Sequence, residues 1–136
     1  MSTKGRSTPR VVCCAIPIAR AAGKILVITS RKRPNCWVLP KGGWESTDVE
    51  LEAAALREAS EEAGVRGTIT RFVTTVPAAA STYHFFELDV ASLDSEWLES
   101  KERRREWVDF AEAMQRIAWK PELAQGLAMS SLAPRR

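Results

Sequence analysis

The chain has 136 residues, 45% of them hydrophobic and 27% charged, which is an ordinary composition for a folded globular domain. A single domain of this size buries about two-thirds of the surface that its unfolded chain exposes, without disulfides or a structural metal. No apolar run approaches the roughly 18 residues of a membrane span, and the three cysteines form neither a CxxC zinc pair nor a secreted disulfide framework. We therefore expect reduced thiols and a cytoplasmic or nuclear protein without a membrane partner.

The formal charge of +3 is unevenly distributed along the chain. Residues 45–62 contain seven acids and one base, which leaves 19 bases against 10 acids in the rest of the chain. A basic body around one acidic segment suits a polyanionic substrate that meets the acids through a metal ion. On charge alone, a generic basic surface with weak affinity for nucleic acid is an equal alternative.

The predicted domain covers residues 9–131, between polar tails at 1–8 and 132–136. It opens with two apolar strands, 11–16 and 24–29, which are close enough in sequence to form a hairpin. A basic loop with Pro-Asn turn chemistry follows, and a short strand at 37–39 then leads to the glycine pair Gly42 and Gly43.

An acidic helix is predicted next. Ser46, Thr47 or Asp48 is its expected N-cap, and it ends at Ala63 before Gly64. Small or apolar residues at helical spacing form its expected packing face, namely Val49, Ala53, Leu56 and Ser60.

Three glutamates of this helix, Glu58, Glu61 and Glu62, share one face at spacings of three and four residues. Arg57 can pair with Glu61 across one helical turn. Crowded carboxylates repel each other unless a cation neutralises them, and the hard cation that prefers oxygen ligands and bridges to phosphate is Mg²⁺. The helix is therefore a candidate magnesium site, to which backbone oxygens near Lys41 and Gly42 can add ligands.

The second half of the chain predicts two strands, 68–76 and 82–90, which a flexible loop connects. A short helix at 95–100 and a short strand at 106–108 follow. Two helices close the domain: 110–117, with Asp109 as its cap, and 121–130, with Pro121 in its first turn. Of the five tryptophans, only Trp44 is expected to touch a substrate.

Gly43 and the run from Arg57 to Val65 (REASEEAGV) stand at the spacing of a known signature. They resemble the Nudix box, which reads G, five residues, E, seven residues, then R-E-apolar-x-E-E-x-G-apolar. The resemblance implies an α/β fold, a Nudix-type α/β/α sandwich with a mixed central sheet. It also implies a hydrolase that uses Mg²⁺, with Mn²⁺ as an alternative, to cut a diphosphate linked to another group. One position departs from the signature, because Val49 stands where the first glutamate belongs, and Asp48 or Glu50 would have to replace it.

The same resemblance implies roles for the residues of the box. Glu58 and Glu62 would bind the metal, and Glu61 would be a further metal ligand or the group that orients or deprotonates the attacking water. Arg57 would be a strut that holds the glutamates. The implied catalytic residues are therefore Glu61, Arg57 and Glu58, and the implied metal ligands are Glu58, Glu62 and Glu61.

Residues 31–43 (RKRPNCWVLPKGG) and 103–120 (RRREWVDFAEAMQRIAWK) extend the similarity to diphosphoinositol polyphosphate phosphohydrolases. This resemblance implies a basic substrate pocket, formed with the glycine turn by Arg10, Ser30, Arg31, Lys32, Arg33, Lys41, Gly42, Gly43, Arg103, Arg104 and Lys120. The implied substrates are diphosphoinositol polyphosphates, from which the enzyme would release orthophosphate.

Two other enzymatic readings stay open, the hydrolysis of diadenosine polyphosphates and that of linear polyphosphate. A different class of function is a catalytically weak module that binds inositol phosphates or RNA. In the preferred reading the protein is a monomer that acts on a small-molecule polyphosphate and binds no specific nucleic acid.

Overall fold

The computed structural model describes residues 9–135, so the predicted tail at 1–8 lies outside the described residues, as does the final Arg136 of the second tail. A mixed sheet organises the chain. Its strands are β1 (Arg10–Ala19), β2 (Lys24–Thr29), β3 (Trp37–Val38), β4 (Lys41–Gly43), β5 (Val65–Pro77), β6 (Ser81–Leu93) and β7 (Arg105–Asp109). Its helices are α1 (Leu51–Ala63), α2 (Phe110–Ile117) and α3 (Pro121–Ala128).

The sheet has the strand order β3-β2-β1-β6-β5, with β4 paired to β1 and β7 paired to β2. The β1–β6 pair is parallel and the other pairs are antiparallel. Helix α1 packs on β1, β4 and β5, whereas α2 and α3 pack on β2, β3, β5 and β7. The α/β sandwich with a mixed central sheet that the sequence predicts is confirmed.

The central strands are buried because they are continuous apolar runs with sheet partners on both sides. The predicted hairpin between β1 and β2 is present, with Ile18 opposite Ile25. Strand β1 continues through Pro17, where the prediction ended it. On one side β4 pairs with residues 12–14 and β2 with residues 18–19, so Pro17 falls between these two ladders, where its missing N–H interrupts neither.

Helix α1 begins later than predicted and packs by a different face. It begins at Leu51, because Asp48 lies in a turn in which its side chain accepts a hydrogen bond from the Glu45 N–H at 2.8 Å. The buried small residues are Ala54, Ala55, Ala59 and Ala63, whereas Val49 of the predicted packing face is 88% exposed. The prediction of that face was wrong because Glu58 and Glu62 share the buried side of the helix with these alanines.

Two predictions for the second half of the chain were also wrong. The loop between β5 and β6 is a tight hairpin, closed by the Ala78 N–H donating to the Ser81 carbonyl at 2.9 Å. Residues 95–100 form turns instead of a helix, since their donors bind the end of α1.

The remaining elements agree closely with expectation. Helix α2 has the predicted bounds, and its cap Asp109 accepts a hydrogen bond from the Glu112 N–H at 2.8 Å. Helix α3 begins at Pro121 and ends two residues before the predicted Ser130. Within residues 9–135, no helix is long and apolar enough to cross a membrane. The division into a domain at 9–131 and two tails stays a prediction.

Candidate active site

Two buried carboxylates meet where helix α1 crosses strand β4. Glu58 and Glu62 are each 7% exposed and stand four residues apart, so their side chains lie on the same side of α1. Glu58 lies against Gly42, where a Cβ atom would collide with its carboxylate. One oxygen of Glu62, Oε1, accepts a hydrogen bond from the Lys41 N–H at 3.1 Å. The glycine therefore permits a close approach of strand and helix that no other residue allows.

This carboxylate pair fits a hard divalent cation. Burial raises the pKa of Glu62, and the neighbouring Glu58 raises it further, against the opposing attraction of Arg103. A cation between two adjacent buried carboxylates removes the repulsion between their negative charges. Mg²⁺ in particular needs only one or two protein carboxylates, because it keeps waters and takes substrate phosphates as ligands.

Glu61 does not join this pair as a third close carboxylate. Among the residues that the structure describes, no three or more His, Cys, Asp or Glu side chains are grouped closely enough to hold a metal. The Glu61 side chain is 36% exposed, and its Oε1 lies 3.5 Å from Nη1 of Arg57. Burial raises the pKa of Glu61. Of its two implied roles, this geometry suits the one that orients or deprotonates water.

Arg57 ties the loop before the helix to the glutamates. Its Nε and Nη2 donate to Oδ1 and Oδ2 of Asp48, both at 3.0 Å. The same Nη2 donates to the Gly43 carbonyl, and Nη1 donates to Oε2 of Glu58, again at 3.0 Å. The hydrogen bonds from Arg57 lower the pKa of Asp48 and keep it ionised. Arg57 thus has the contacts of the predicted strut.

Of the two acids that flank Val49, Asp48 and not Glu50 pairs with Arg57. Asp48 is buried, whereas Glu50 is exposed and offers no side-chain cap to α1. Val49, which has the signature's position in the sequence, points to solvent. The acid that binds Arg57 therefore stands one residue before the position of the signature's first glutamate.

A cavity of about 380 Å³ has two lining residues, Lys41 and Arg103, that contact Glu62, and we call it the basic cavity. Its lining contains seven of the predicted substrate-binding residues, with Val38 and Trp119: Ser30, Arg31, Lys32, Arg33, Lys41, Arg103 and Lys120. Six of these seven carry positive charge, and within residues 9–135 no carboxylate lines the cavity, so its chemistry favours a polyanion.

Two residues connect the basic cavity to helix α1. Lys41 lines the cavity with its side chain and donates its N–H to Glu62, and burial lowers the pKa of its ammonium group. Arg103 is held by the Thr29 carbonyl at 2.9 Å, and its Nη2 lies 3.5 Å from Oε1 of Glu62. A polyanion in the cavity would therefore lie next to the carboxylate pair.

The structure does not bring all of the predicted basic residues into one substrate pocket. Arg104 lines a separate cleft with Lys101, because its guanidinium lies 5.4 Å from the centre of the Trp37 ring and donates to the Pro34 carbonyl. Arg10 lies beside Gly43 and does not line the basic cavity. Within the cavity, Arg31 is partly neutralised by Glu99 and Glu102, at 3.6 and 3.5 Å.

Sequence reasoning missed Trp119, which lines the basic cavity and is 39% exposed. Its indole N–H donates to the Trp37 carbonyl at 2.9 Å, which fixes the ring at the wall. The Arg33 guanidinium lies 5.5 Å from the ring centre. Trp119 directly precedes Lys120, a predicted substrate-binding residue, and this neighbourhood was the signal in the sequence that could have indicated it. Trp44, the predicted contact, is 47% exposed but does not line the cavity.

The sequence of the chain is similar to those of known proteins. The sequence profile of the NUDIX domain matches residues 8–128. "Nudix hydrolase 21, chloroplastic" of Arabidopsis thaliana is 37% identical over 98 residues, which are 68% of this chain and 49% of that protein. "Diphosphoinositol polyphosphate phosphohydrolase 3-alpha" of Mus musculus is 33% identical over 96 residues, 67% of this chain and 58% of that protein. The chain thus spans about half of the length of these curated relatives, or slightly more.

The fold of the chain is similar to those of solved structures. A NUDIX hydrolase from Nitrosomonas europaea superposes with a TM-score of 0.74 at 21% identity, covering 88% of this chain and 86% of that one. A second structure, a crystal structure of a NUDIX hydrolase from the same organism, has a TM-score of 0.71 at 27% identity and covers 89% and 69% of the two chains.

Proposed function

Because this chain belongs to the Nudix hydrolase family, and is in general terms a phosphoanhydride hydrolase, we propose that it hydrolyses diphosphoinositol polyphosphates, the inositol pyrophosphates. The observation that supports the proposal is the basic cavity, which has six cationic side chains, two of them on residues, Lys41 and Arg103, that contact the carboxylate of Glu62. An inositol ring that carries many phosphates matches such a cavity in charge. The similarity to the mouse protein with that activity in its name adds support.

The reaction is the attack of water on a phosphorus of the diphosphate group. The anhydride P–O bond breaks, orthophosphate leaves, and the oxygen that stays on the ring substituent becomes a terminal phosphate oxygen. Phosphoryl transfer needs positioning and charge neutralisation more than covalent chemistry.

Different residues of the chain have separate roles in this reaction. Glu58 and Glu62 would hold the divalent metal that Nudix hydrolases generally use, typically Mg²⁺, and the ion, when bound, neutralises charge on the phosphate oxygens. Glu61 accepts the proton of the attacking water, a role that suits a half-exposed carboxylate next to the proposed metal ligands. Lys41 and Arg103 bind phosphate oxygens between the cavity and the helix.

A matched pair of charge reversals tests the role of the cavity. Lys32→Glu should raise the KM for an inositol pyrophosphate by about tenfold or more, because an anion in the lining costs on the order of 1.4 kcal/mol or more in binding. Arg104→Glu makes the same change of charge outside the basic cavity and should raise KM much less. Steady-state phosphate release measures both.

The Lys32→Glu variant should also weaken binding of an inositol pyrophosphate more than of a diadenosine polyphosphate. Equal losses for the two substrates, or equal effects of the two charge reversals, would argue against a dedicated inositol phosphate site.

One observation favours diadenosine polyphosphates as a second candidate substrate. The exposed ring of Trp119 in the cavity wall offers a planar surface to a base, and base stacking on an aromatic side chain is worth about 1–3 kcal/mol. Trp119→Leu should then weaken binding of adenosine tetraphosphate by roughly tenfold and leave that of inorganic tetrapolyphosphate unchanged, by calorimetry. Trp119→Phe is the matched control and should retain most of the affinity. Equal losses for both ligands would exclude stacking.

The remaining expectations stay proposals. The partner is a small-molecule polyphosphate, with no specific nucleic acid, and the acting form is a monomer. A cytoplasmic or nuclear location is proposed from the sequence alone, and a relative in Arabidopsis thaliana is named as chloroplastic.

A further inference from the structure

One segment, residues 94–105, runs through turns to the first residue of β7 and binds the carboxyl end of helix α1, and we call it the strap. A helix end leaves about four carbonyl groups without partners in the helix. The strap supplies donors to four successive carbonyls, the last three of α1 and that of its C-cap, Gly64. Glu61 accepts from the Glu99 N–H at 3.0 Å, Glu62 from Trp97 Nε1 at 2.8 Å, Ala63 from Arg105 Nη1 at 2.8 Å and Gly64 from the Asp94 N–H at 2.8 Å.

The two side-chain donors of the strap support each other. The Arg105 guanidinium lies 3.9 Å from the centre of the Trp97 ring, and its Nη2 donates to the Asp94 carbonyl at 2.7 Å. Both side chains pack against Gly64, where a Cβ atom would contact Nη1 of Arg105 at 2.8 Å. The positive guanidinium also complements the negative end of the helix dipole.

The strap also reaches the basic cavity. Arg103 is 9% exposed, lines the cavity and donates to Oε1 of Glu99 at 2.7 Å. Its Nη2 approaches the side chain of Glu62 at 3.5 Å, while Trp97 binds the main chain of the same residue. One segment therefore contacts both the main chain and the carboxylate of Glu62, and it lines the site proposed for phosphates.

We propose that Trp97 and Arg105 are positioning residues, which act through the main chain of α1 to hold the carboxylate of Glu62 in its place between β4 and the basic cavity. Without their donors, the carbonyls of Glu62 and Ala63 lose their partners and the last turn of the helix loosens. The carboxylate would then shift. Loss of a hydrogen bond to a metal-binding side chain commonly lowers metal affinity by about 10–100-fold, and a contact to the main chain acts less directly, so we expect a smaller loss. The inference rests on the proposed role of Glu62 in binding metal.

The variant Trp97→Phe tests this, because it keeps a ring for Arg105 and removes the Nε1–H that binds Glu62. The dissociation constant of Mn²⁺ should rise by about three- to tenfold, measured by electron paramagnetic resonance of the free ion without substrate. In turnover assays kcat should fall while KM for the substrate changes little. Trp107→Phe is the control, since Trp107 is half-buried on β7 and, among the described residues, donates no hydrogen bond to α1.

The outcomes distinguish a positioning role of Trp97 and Arg105 from a contribution of these residues to the stability of the fold. If Trp97→Phe lowers the melting temperature but binds Mn²⁺ as the wild type does, or if Trp107→Phe weakens Mn²⁺ equally, the inference is overturned. Should Trp97→Phe not fold, Arg105→Lys keeps the charge but loses the two-pronged contact to Ala63 and Asp94, and it should weaken Mn²⁺ in the same way. An unchanged affinity in that variant would overturn the inference.

Failure of the proposed substrate is a separate result. A wild type that binds Mn²⁺ but does not hydrolyse an inositol pyrophosphate contradicts the substrate alone, and the comparison with Trp97→Phe still decides the role of the strap. A wild type that does not bind Mn²⁺ overturns both.

Discussion

Glu62→Gln should lower the turnover number by a factor of about 10² or more while the protein stays folded. The amide has the shape of the carboxylate and can still accept the hydrogen bond from the Lys41 N–H, but it brings no negative charge to the metal. Glu61→Gln should lower turnover to a similar extent, because the amide cannot accept a proton from water. Phosphate release at saturating substrate, together with circular dichroism, gives both quantities.

Glu52→Gln is the control for this loss. Glu52 lies in the first turn of the same helix, and its replacement makes the same change of charge far from the end that carries Glu62. The two variants at Glu61 and Glu62 differ in one respect, since only Glu62→Gln should weaken Mn²⁺ binding strongly. Wild-type turnover in Glu62→Gln would remove the metal assignment of this residue.

Asp48→Ala should lower kcat by about tenfold or more, because Arg57 loses the partner that binds two of its nitrogens. Arg57 would then be free to move away from the Gly43 carbonyl and from Glu58. The matched control is Glu50→Ala, which removes an exposed carboxylate two residues away and should leave kcat within about twofold. Steady-state kinetics of the two variants decides which acid replaces the first glutamate of the Nudix box.

A double-mutant cycle makes this test stricter. Arg57→Ala should already remove the interaction, so that adding Asp48→Ala costs little more. Additive losses in the double variant would contradict a shared role of the two residues, and a loss in Glu50→Ala equal to that in Asp48→Ala would contradict the assignment to Asp48.

The elements that the sequence predicts well are those in which local signals agree with tertiary packing. Helix α2 has both a capping aspartate and an amphipathic period, and its bounds are the predicted ones. Strands β1 and β2 are continuous apolar runs, which are typical of central strands with sheet neighbours on both sides. In these cases periodicity and composition are sufficient, because burial in the folded chain follows the same pattern.

The errors occur where polar groups bond outside their own element. Asp48 is a good cap by its chemistry, but its carboxylate is already bound to Arg57 and the Glu45 N–H, so the helix begins at Leu51. The charge alternation of residues 95–100 is typical of a helix, yet the donors of Trp97 and Glu99 are taken by the carbonyls of α1. Such competition between distant partners leaves no local signal in the sequence.

The sequence predicted only part of the candidate site, and the reason for the missing part is similar. The spacing of Glu58, Glu61 and Glu62 showed that they share a helix face, but not that two of them turn inward and one outward. The basic residues of the loop at 30–33 were expected at the cavity and line it, whereas Arg104 points to the other side of that loop. Neighbouring arginines in an irregular segment cannot be assigned to a side without the path of the backbone.

We propose that the basic cavity and the glutamate pair act together in the hydrolysis of inositol pyrophosphates. The most direct measurement compares the turnover of an inositol pyrophosphate, diadenosine hexaphosphate and linear polyphosphate, each with Mg²⁺, with Mn²⁺ and with a chelator. We expect the highest kcat/KM for the inositol pyrophosphate with Mg²⁺, the release of orthophosphate, and the loss of activity in the chelator. A higher kcat/KM for either of the other substrates, or tight binding of inositol phosphates without turnover under any condition, would contradict the claim.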